Sequence, residues 1–261
     1  MLDKTLVITG GSSGIGLATA TLFQSKGWRV FELSRHGHSH DGIVHVDCDV
    51  TKPDSVQAAV AEVMKQTETI DVLVSNAGYG ISGAIEFTAA EDAKRQMDVN
   101  FFGALNVTQA VLPVMRERKK GRILYTSSVA AMLPVPYQAF YSASKAAINA
   151  MALALANEVR AFNIYVGCLM PGDVATGFTA ARDKSDKGSE VYRNITKAVS
   201  AMEKDEQNGM RPEQMAKIFY RMATRRNPAP FYIGGGVYKV FCFLNRILPT
   251  RFVNWIEGVM Y

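Results

Sequence analysis

Seven short apolar runs, most of them ending in small or polar residues, punctuate this chain from end to end. They are LVIT (Leu6–Thr9), RVFELS (Arg29–Ser34), IVHVDC (Ile43–Cys48), IDVLVS (Ile70–Ser75), RILYTS (Arg122–Ser127), IYVGCLM (Ile164–Met170) and PFYIGG (Pro230–Gly235). Runs this short, rich in β-branched and aromatic residues, suit strands that are buried on both faces. Between them the sequence takes up a helical period, from Ile15 to a stop at Gly27, from Pro53 to Thr67, over Ala90–Arg118 and over Tyr141–Phe162. Glycine just past a helix and proline in its first turn are favoured end residues. The alternation predicts an α/β fold, a doubly wound seven-stranded parallel sheet with helices on both faces. Right-handed crossovers then bring the carboxyl ends of the strands to one edge, where ligands bind.

The strand ends carry the chemistry. After the first comes TGGSSGIG (Thr9–Gly16), in which Gly10, Gly14 and Gly16 permit a tight turn and close approach of a pyrophosphate to a helix N-terminus. The second ends in Ser34–Arg35. An acid there would suit the ribose 2′-hydroxyl of NAD, whereas an arginine suits a 2′-phosphate. Glu32 lies within the strand and is set aside, so the expected cofactor is NADP(H). Asp49, in DCDVT, is placed to meet an adenine edge, and Asn76, in SNAGYG, to tie neighbouring strands together; turn chemistry is the alternative for both. The fifth and sixth strands end at Ser127–Ser128 and Pro171–Gly172. Six consecutive strand ends of this character outweigh any single motif.

Composition narrows the classes. A chain of 261 residues, 48% hydrophobic and 20% charged, suits one soluble α/β domain. The net charge is +5, and its densest basic run, RERKKGR (Arg116–Arg122), reads as a solvated helix end. No second basic stripe with aromatics supports nucleic-acid binding. Cys48, Cys168 and Cys242 are widely spaced and form no CxxC pair, which fits a reducing cytoplasm. The start, MLDKTLVITGG, reads as entering a strand at once, so no signal peptide is expected. No stretch supplies the roughly 20 apolar residues of a spanning helix. His36, His38, His40 and His45 cluster, but no nearby carboxylate–cysteine set completes a metal shell, so they are expected to stay solvated and no metal is expected.

YSASK (Tyr141–Lys145) places a tyrosine and a lysine four apart on one helix face. With TGGSSGIG, SNAG, MDVN (Met97–Asn100), YTSS and PGDVAT (Pro171–Thr176), in this order, and thirteen positions from Ser128 to Tyr141, the sequence resembles the short-chain dehydrogenase/reductase family over nearly its whole length. Ser75 departs from the second asparagine more usual there. The resemblance implies a single Rossmann-type domain and a catalytic set of Asn100, Ser128, Tyr141 and Lys145. It also implies a cofactor groove of Gly10, Ser12, Ser13, Gly14, Ile15, Gly16, Ser34, Arg35, Asp49, Val50, Asn76, Ala77, Gly78, Tyr141, Lys145, Pro171, Gly172, Val174 and Thr176. In that scheme Lys145 and an oxidised nicotinamide lower the pKa of Tyr141, which donates a proton to a carbonyl that Ser128 orients. Asn100 anchors a water in the proton relay.

The domain is expected to span residues 1–236. Within it GFTAARDKSDKGSE (Gly177–Glu190) begins a polar, mobile substrate lid over 177–210. Residues 237–261 form an apolar helical extension, similar to the C-terminal region of family members that act on steroids, retinoids or acyl-glycerone phosphates. With apolar AAMLPVPYQ (Ala130–Gln138) it favours a bulky hydrophobic ketone. The extension could pack, form a subunit interface, or touch a membrane through apolar residues alternating with Lys239, Arg246 and Arg251. A 3-oxoacyl-carrier-protein reductase and a non-catalytic NADP sensor are the competing functions. Family resemblance further implies a homodimer or homotetramer through the helices of Ala90–Arg118 and Tyr141–Phe162.

Overall fold

The computed structural model describes residues 4–260; the readings that fall on 1–3 and on Tyr261, at the two ends of the expected domain and extension, lie outside them. The chain runs β1 (Thr5–Thr9), α1 (Gly14–Ser25), β2 (Arg29–Ser34), β3 (Ile43–Asp47), α2 (Pro53–Gln66) and β4 (Val72–Ser75). Next come β5 (Ile81–Ser82), α3 (Ala90–Met97), α4 (Gly103–Glu117), β6 (Gly121–Thr126), α5 (Ala139–Glu158) and β7 (Ile164–Pro171). The last part holds β8 (Asp183–Lys184), α6 (Ile195–Gln207), α7 (Pro212–Thr224), β9 (Phe231–Gly234), α8 (Gly236–Ile247) and α9 (Thr250–Met260).

The seven anticipated runs form one parallel sheet in the order β3-β2-β1-β4-β6-β7-β9. Every residue of β1 and β4 is buried, as strands covered on both faces must be. On one face Ala20 and Phe23 of α1 pack with Met215, Phe219 and Met222 of α7. On the other, apolar side chains of α2, α4 and α5, among them Val60, Val111 and Ile148, share a core with Leu73 and Ile123. β1 pairs with β2 on one side and β4 on the other, so successive connections leave it in opposite directions and open a crevice at its carboxyl end.

Four expectations change. The helix expected over Ala90–Arg118 is interrupted by a π-turn at Asp98–Phe102, which holds Asn100. The segment Gly177–Glu190 is not a free loop. Its β8 pairs with β5 in a small parallel sheet, and Arg182 and Lys184 reach Glu206 and Glu203 of α6. α6 then buries Ile195, Ala198, Val199 and Met202 beside Ala84 and Val135. The segment reads as a loop because its strands are two residues long and its anchors are charges. Third, α6 and α7 lie where no helix was expected, although Met215, Phe219 and Met222 keep helical spacing. Fourth, His45 is not solvated. It stands in β3 with Nδ1 against the buried Glu32 carboxylate and Nε2 3.0 Å from Asp47 Oδ1. Burial works against its charge, but the two carboxylates prevail and raise its pKa.

Candidate active site

The glycine turn between β1 and α1 is shaped by backbone that other residues resist. Gly10 and Gly14 have φ of +64° and +52°. A Cβ on Gly16 would lie 2.0 Å from the Gly10 carbonyl oxygen. Ser13, the N-cap of α1, adopts extended backbone and makes no side-chain cap hydrogen bond, so no side chain closes that helix end. Gly10, Ser13, Gly14 and Ile15 face a cleft of about 520 Å³, and Ser12 is exposed beside them. A cradle of bare backbone at a positive helix end fits the pyrophosphate of a dinucleotide.

Asn76 knits three strand ends together. Its Nδ2 donates to the carbonyls of Thr9 and Gly10, both at 3.2 Å, and its Oδ1 accepts from Thr126 Oγ1 at 2.9 Å. Thr9 Oγ1 in turn accepts the backbone N–H of Asn76 and of Ala77. Asn76, Ala77 and Gly78 thereby line the cleft.

Ser128, Tyr141 and Lys145 converge on the same cleft from β6 and α5. Lys145, 4% exposed, donates from Nζ to the Thr126 carbonyl at 2.9 Å, and its Nζ stands 5.7 Å from the Tyr141 ring centre. Burial pulls its pKa down to about 8, against a smaller opposing effect of Cys168. Burial pushes Tyr141 up to about 12, although the Ser128 hydroxyl beside it pulls the other way. A tyrosine lowered by the lysine is therefore not what the protein alone produces: the cost of burying a phenolate exceeds what its neighbours return. Asn100 is buried on the π-turn but does not line the cleft. Its Oδ1 accepts from Tyr79 N at 3.0 Å, and its Nδ2 donates to Tyr79 O and Ser144 Oγ, each at 3.0 Å. Gly78 lies close to both it and Lys145: a Cβ there would stand 3.0 Å from Asn100 Oδ1 and 3.5 Å from Lys145 Nζ.

Ser34, Arg35, Asp49 and Val50 gather at the ends of β2 and β3, outside the cleft lining. Arg35 is exposed, while Ser34 Oγ donates to Glu32 Oε1 at 3.1 Å. Asp49 accepts from Thr51 N and Oγ1 at 3.0 and 2.7 Å, the turn chemistry allowed for it. Burial disfavours its charge, yet these bonds with Lys52 and Arg35 hold its pKa down. Val50 is buried against Gly103. Pro171, the last residue of β7, and Gly172, Val174 and Thr176 beyond it line the cleft, and a Cβ on Gly14 would meet Thr176 Cβ at 3.3 Å.

The cleft also exposes residues that sequence reasoning does not single out: Gln138, Asp173, Phe178, Glu206 and Tyr238. The Phe178 and Tyr141 rings lie 5.6 Å apart. Tyr238, from α8, covers Gly172 and donates to Asp173 Oδ2. Burial raises the Asp173 pKa, opposed by that bond and reinforced by Glu206 and Asp205. Asp173 sits inside PGDVAT and so was within reach of a motif reading; Glu206, on α6, has no local signal.

A second cavity of about 630 Å³ adjoins the first, sharing Val129, Val135, Asp173 and Tyr238 with it. Its walls are largely apolar: Phe241 and Leu244 of α8, Leu248 of the turn after it, and Val253 and Ile256 of α9 face Val129, Leu133, Val135 and Met210 of the body.

Residues 4–187 match the family model described as short chain dehydrogenase. The chain is 36% identical over 267 residues to 3-ketodihydrosphingosine reductase of Bacteroides thetaiotaomicron, covering 100% of this chain and 99% of that protein. Against 3-oxoacyl-[acyl-carrier-protein] reductase MabA of Mycobacterium avium it is 33% identical over 183 residues, covering 70% and 72% of the two. Among solved structures, a short-chain dehydrogenase from Streptomyces avermitilis superposes with a TM-score of 0.85 at 26% identity, over 99% of this chain and 97% of that one.

Proposed function

Since this chain belongs to the short-chain dehydrogenase family of oxidoreductases, we propose that it reduces the ketone of a long-chain lipid to a secondary alcohol with NADP(H). The observation that carries this reading is the apolar cavity of α8 and α9, which shares Asp173 and Tyr238 with the cleft of Ser128, Tyr141 and Lys145. A carbonyl can lie at Tyr141 while a hydrocarbon chain fills the neighbouring cavity. The full-length similarity to a 3-ketodihydrosphingosine reductase supports the same substrate class.

The nicotinamide cofactor, when bound, supplies the hydride. Tyr141 donates its phenolic proton to the carbonyl oxygen, and burial keeps that proton in place at ordinary pH. Ser128 donates a hydrogen bond to the same oxygen and orients it. Lys145 holds positive charge behind the tyrosine, and Asn100 anchors the proton relay that refills it. Gly10, Ser12, Ser13, Gly14, Ile15 and Gly16 hold the pyrophosphate. Ser34 and Arg35 take the 2′-phosphate, Asp49 and Val50 the adenine side, and Asn76, Ala77, Gly78, Pro171, Gly172, Val174 and Thr176 line the remaining groove. The segment over 177–210, latched by Arg182–Glu206, acts as the substrate lid. A homodimer or homotetramer through the outer faces of α4 and α5 and a reducing cytoplasmic setting, suited to three buried free cysteines, complete the reading.

The test is NADPH oxidation with 3-ketodihydrosphingosine, a short soluble ketone and a 3-oxoacyl-carrier-protein thioester. Preference for the long-chain ketone is expected. Leu244→Trp, which fills the apolar cavity, should raise KM for that substrate about tenfold or more, the scale of two lost methylene contacts, and leave the short ketone unaffected. Preference for the carrier-protein thioester, with Leu244→Trp inert, would overturn the proposal in favour of the function named for the Mycobacterium avium relative.

Cofactor choice is tested separately. Arg35→Ser should cut the NADPH-to-NADH ratio of kcat/KM by about 10–100-fold, the worth of one charge-assisted contact. A wild type that already prefers NADH would remove the role assigned to Arg35.

A further inference from the structure

The two C-terminal helices are apolar on opposite sides. Their inner sides line the 630 Å³ cavity. Outward lie Val240, Phe243 and Ile247 on α8 and Phe252, Trp255 and Val259 on α9. Both triplets follow i, i+3, i+7 spacing, so each forms one stripe along its helix. Phe243, Ile247 and Trp255 are 61%, 62% and 62% exposed. These six side chains, with Val237 and Phe241 at the rim of the cavity, make up eight of the twelve exposed large apolar residues among those described. Such concentration marks an interaction surface rather than ordinary exposure.

Charge identifies the occupant. Lys239, Arg246 and Arg251 are exposed, and each immediately precedes a stripe residue, Val240, Ile247 and Phe252, so the cations flank the apolar stripes. No acidic residue occurs from Gly236 to Ile256; Glu257 follows and turns into the cavity lining. A two-fold contact with a second copy would bring these like charges together across the interface. A layer of anionic headgroups over hydrocarbon complements both the cations and the stripes. Among the described residues no helix is long and apolar enough to cross a membrane, so the surface would lie on a bilayer rather than span it.

We infer that the outer face of α8–α9 seats on an anionic lipid surface, and that a lipid substrate's chain passes from that surface into the cavity beneath the helices. Only the second half rests on the proposed lipid-ketone activity; the docking itself stands on the exposed face.

The experiment is flotation of the full-length chain with vesicles of phosphatidylcholine alone and of phosphatidylcholine with phosphatidylglycerol. Co-flotation with the anionic vesicles is expected, weakening as salt is raised. Tryptophan emission should shift to shorter wavelength through Trp255, since Trp28, the other tryptophan, is already buried. The combined variant F243S/I247S/W255S should lose flotation while keeping wild-type turnover of a short soluble ketone. K239Q/R246Q/R251Q should weaken anionic-vesicle affinity by about fivefold per charge removed. Wild-type protein that stays unbound with anionic vesicles would overturn the docking. If, in addition, gel filtration shows the apolar variant dissociating an oligomer, the occupant is a second copy. Turnover of long-chain ketone without vesicle binding leaves the activity and removes the docking; vesicle binding without turnover does the reverse.

Discussion

Tyr141→Phe should lower kcat for ketone reduction by about 10³-fold, within the range a positioned proton donor contributes, and leave NADPH affinity within about threefold of wild type. The phenol stands in the cleft with Ser128 and Lys145, and phenylalanine keeps the ring against Phe178 while removing the proton. Equal loss of NADPH binding would mean that the ring had shifted, and an unchanged kcat would end the proton-donor assignment. The pH profile adds an independent reading. Tyr141, pushed up to about 12, stays protonated through the neutral range, so it does not limit reduction there. Lys145, held to about 8, loses its charge as pH rises through that value, and kcat/KM for reduction should fall with it. The same shift carries a stability sign. The folded pKa of Lys145 lies below the usual lysine value of about 10.4, so the fold favours the neutral amine. Its charge therefore costs stability fully below about 8, and the cost disappears as pH rises toward the unfolded value. Lys145→Met should lose activity yet raise Tm by about 2–4 °C at neutral pH.

Gly16→Ala is expected to lower NADPH affinity on the order of 100-fold, the scale of two lost charge-assisted contacts, and to cost about 1–3 kcal/mol of stability through overpacking. The added Cβ would stand 2.0 Å from the Gly10 carbonyl oxygen, 2.8 Å from its carbon and 2.7 Å from Asn76 Nδ2. Two of these are backbone atoms of the turn itself, so relief requires moving the turn. The Asn76 bonds that join β1, β4 and β6 would move with it. Isothermal titration and a thermal melt measure both effects. Gly258→Ala, where a Cβ meets nothing within 4 Å, is the control and should leave binding unchanged. A Gly16→Ala protein that binds NADPH normally would show that the turn does not carry the pyrophosphate.

The features legible in the sequence are local. Buried strands need short apolar runs, so β1, β4, β6 and β7 announce themselves; β2, β3 and β9 keep enough β-branched and aromatic residues to be read with them, and alternation with helices sets parallel order. The turn after β1 is legible because glycine accepts its positive φ without cost and, at Gly16, the close approach of the Gly10 carbonyl and Asn76. Tyr141 and Lys145 are legible because helical period alone puts them on one face. Everything that depends on pairing across distance came only with the fold. Whether His45 is solvated or bound to Glu32 turns on the register of β3 against β2. Whether Gly177–Glu190 is a loose loop or a latched one turns on α6 presenting Glu203 and Glu206 to Lys184 and Arg182. The direction of the Tyr141 pKa was likewise out of reach, because desolvation depends on what covers the ring, and that cover comes from elements far apart in the chain. The apolar cavity and the outward stripes belong to the same helices, and their sequence shows only that both sides are apolar. Which side meets the protein is set by where Tyr238 docks over Gly172, because a side chain's burial is a property of its neighbours and not of its own chemistry.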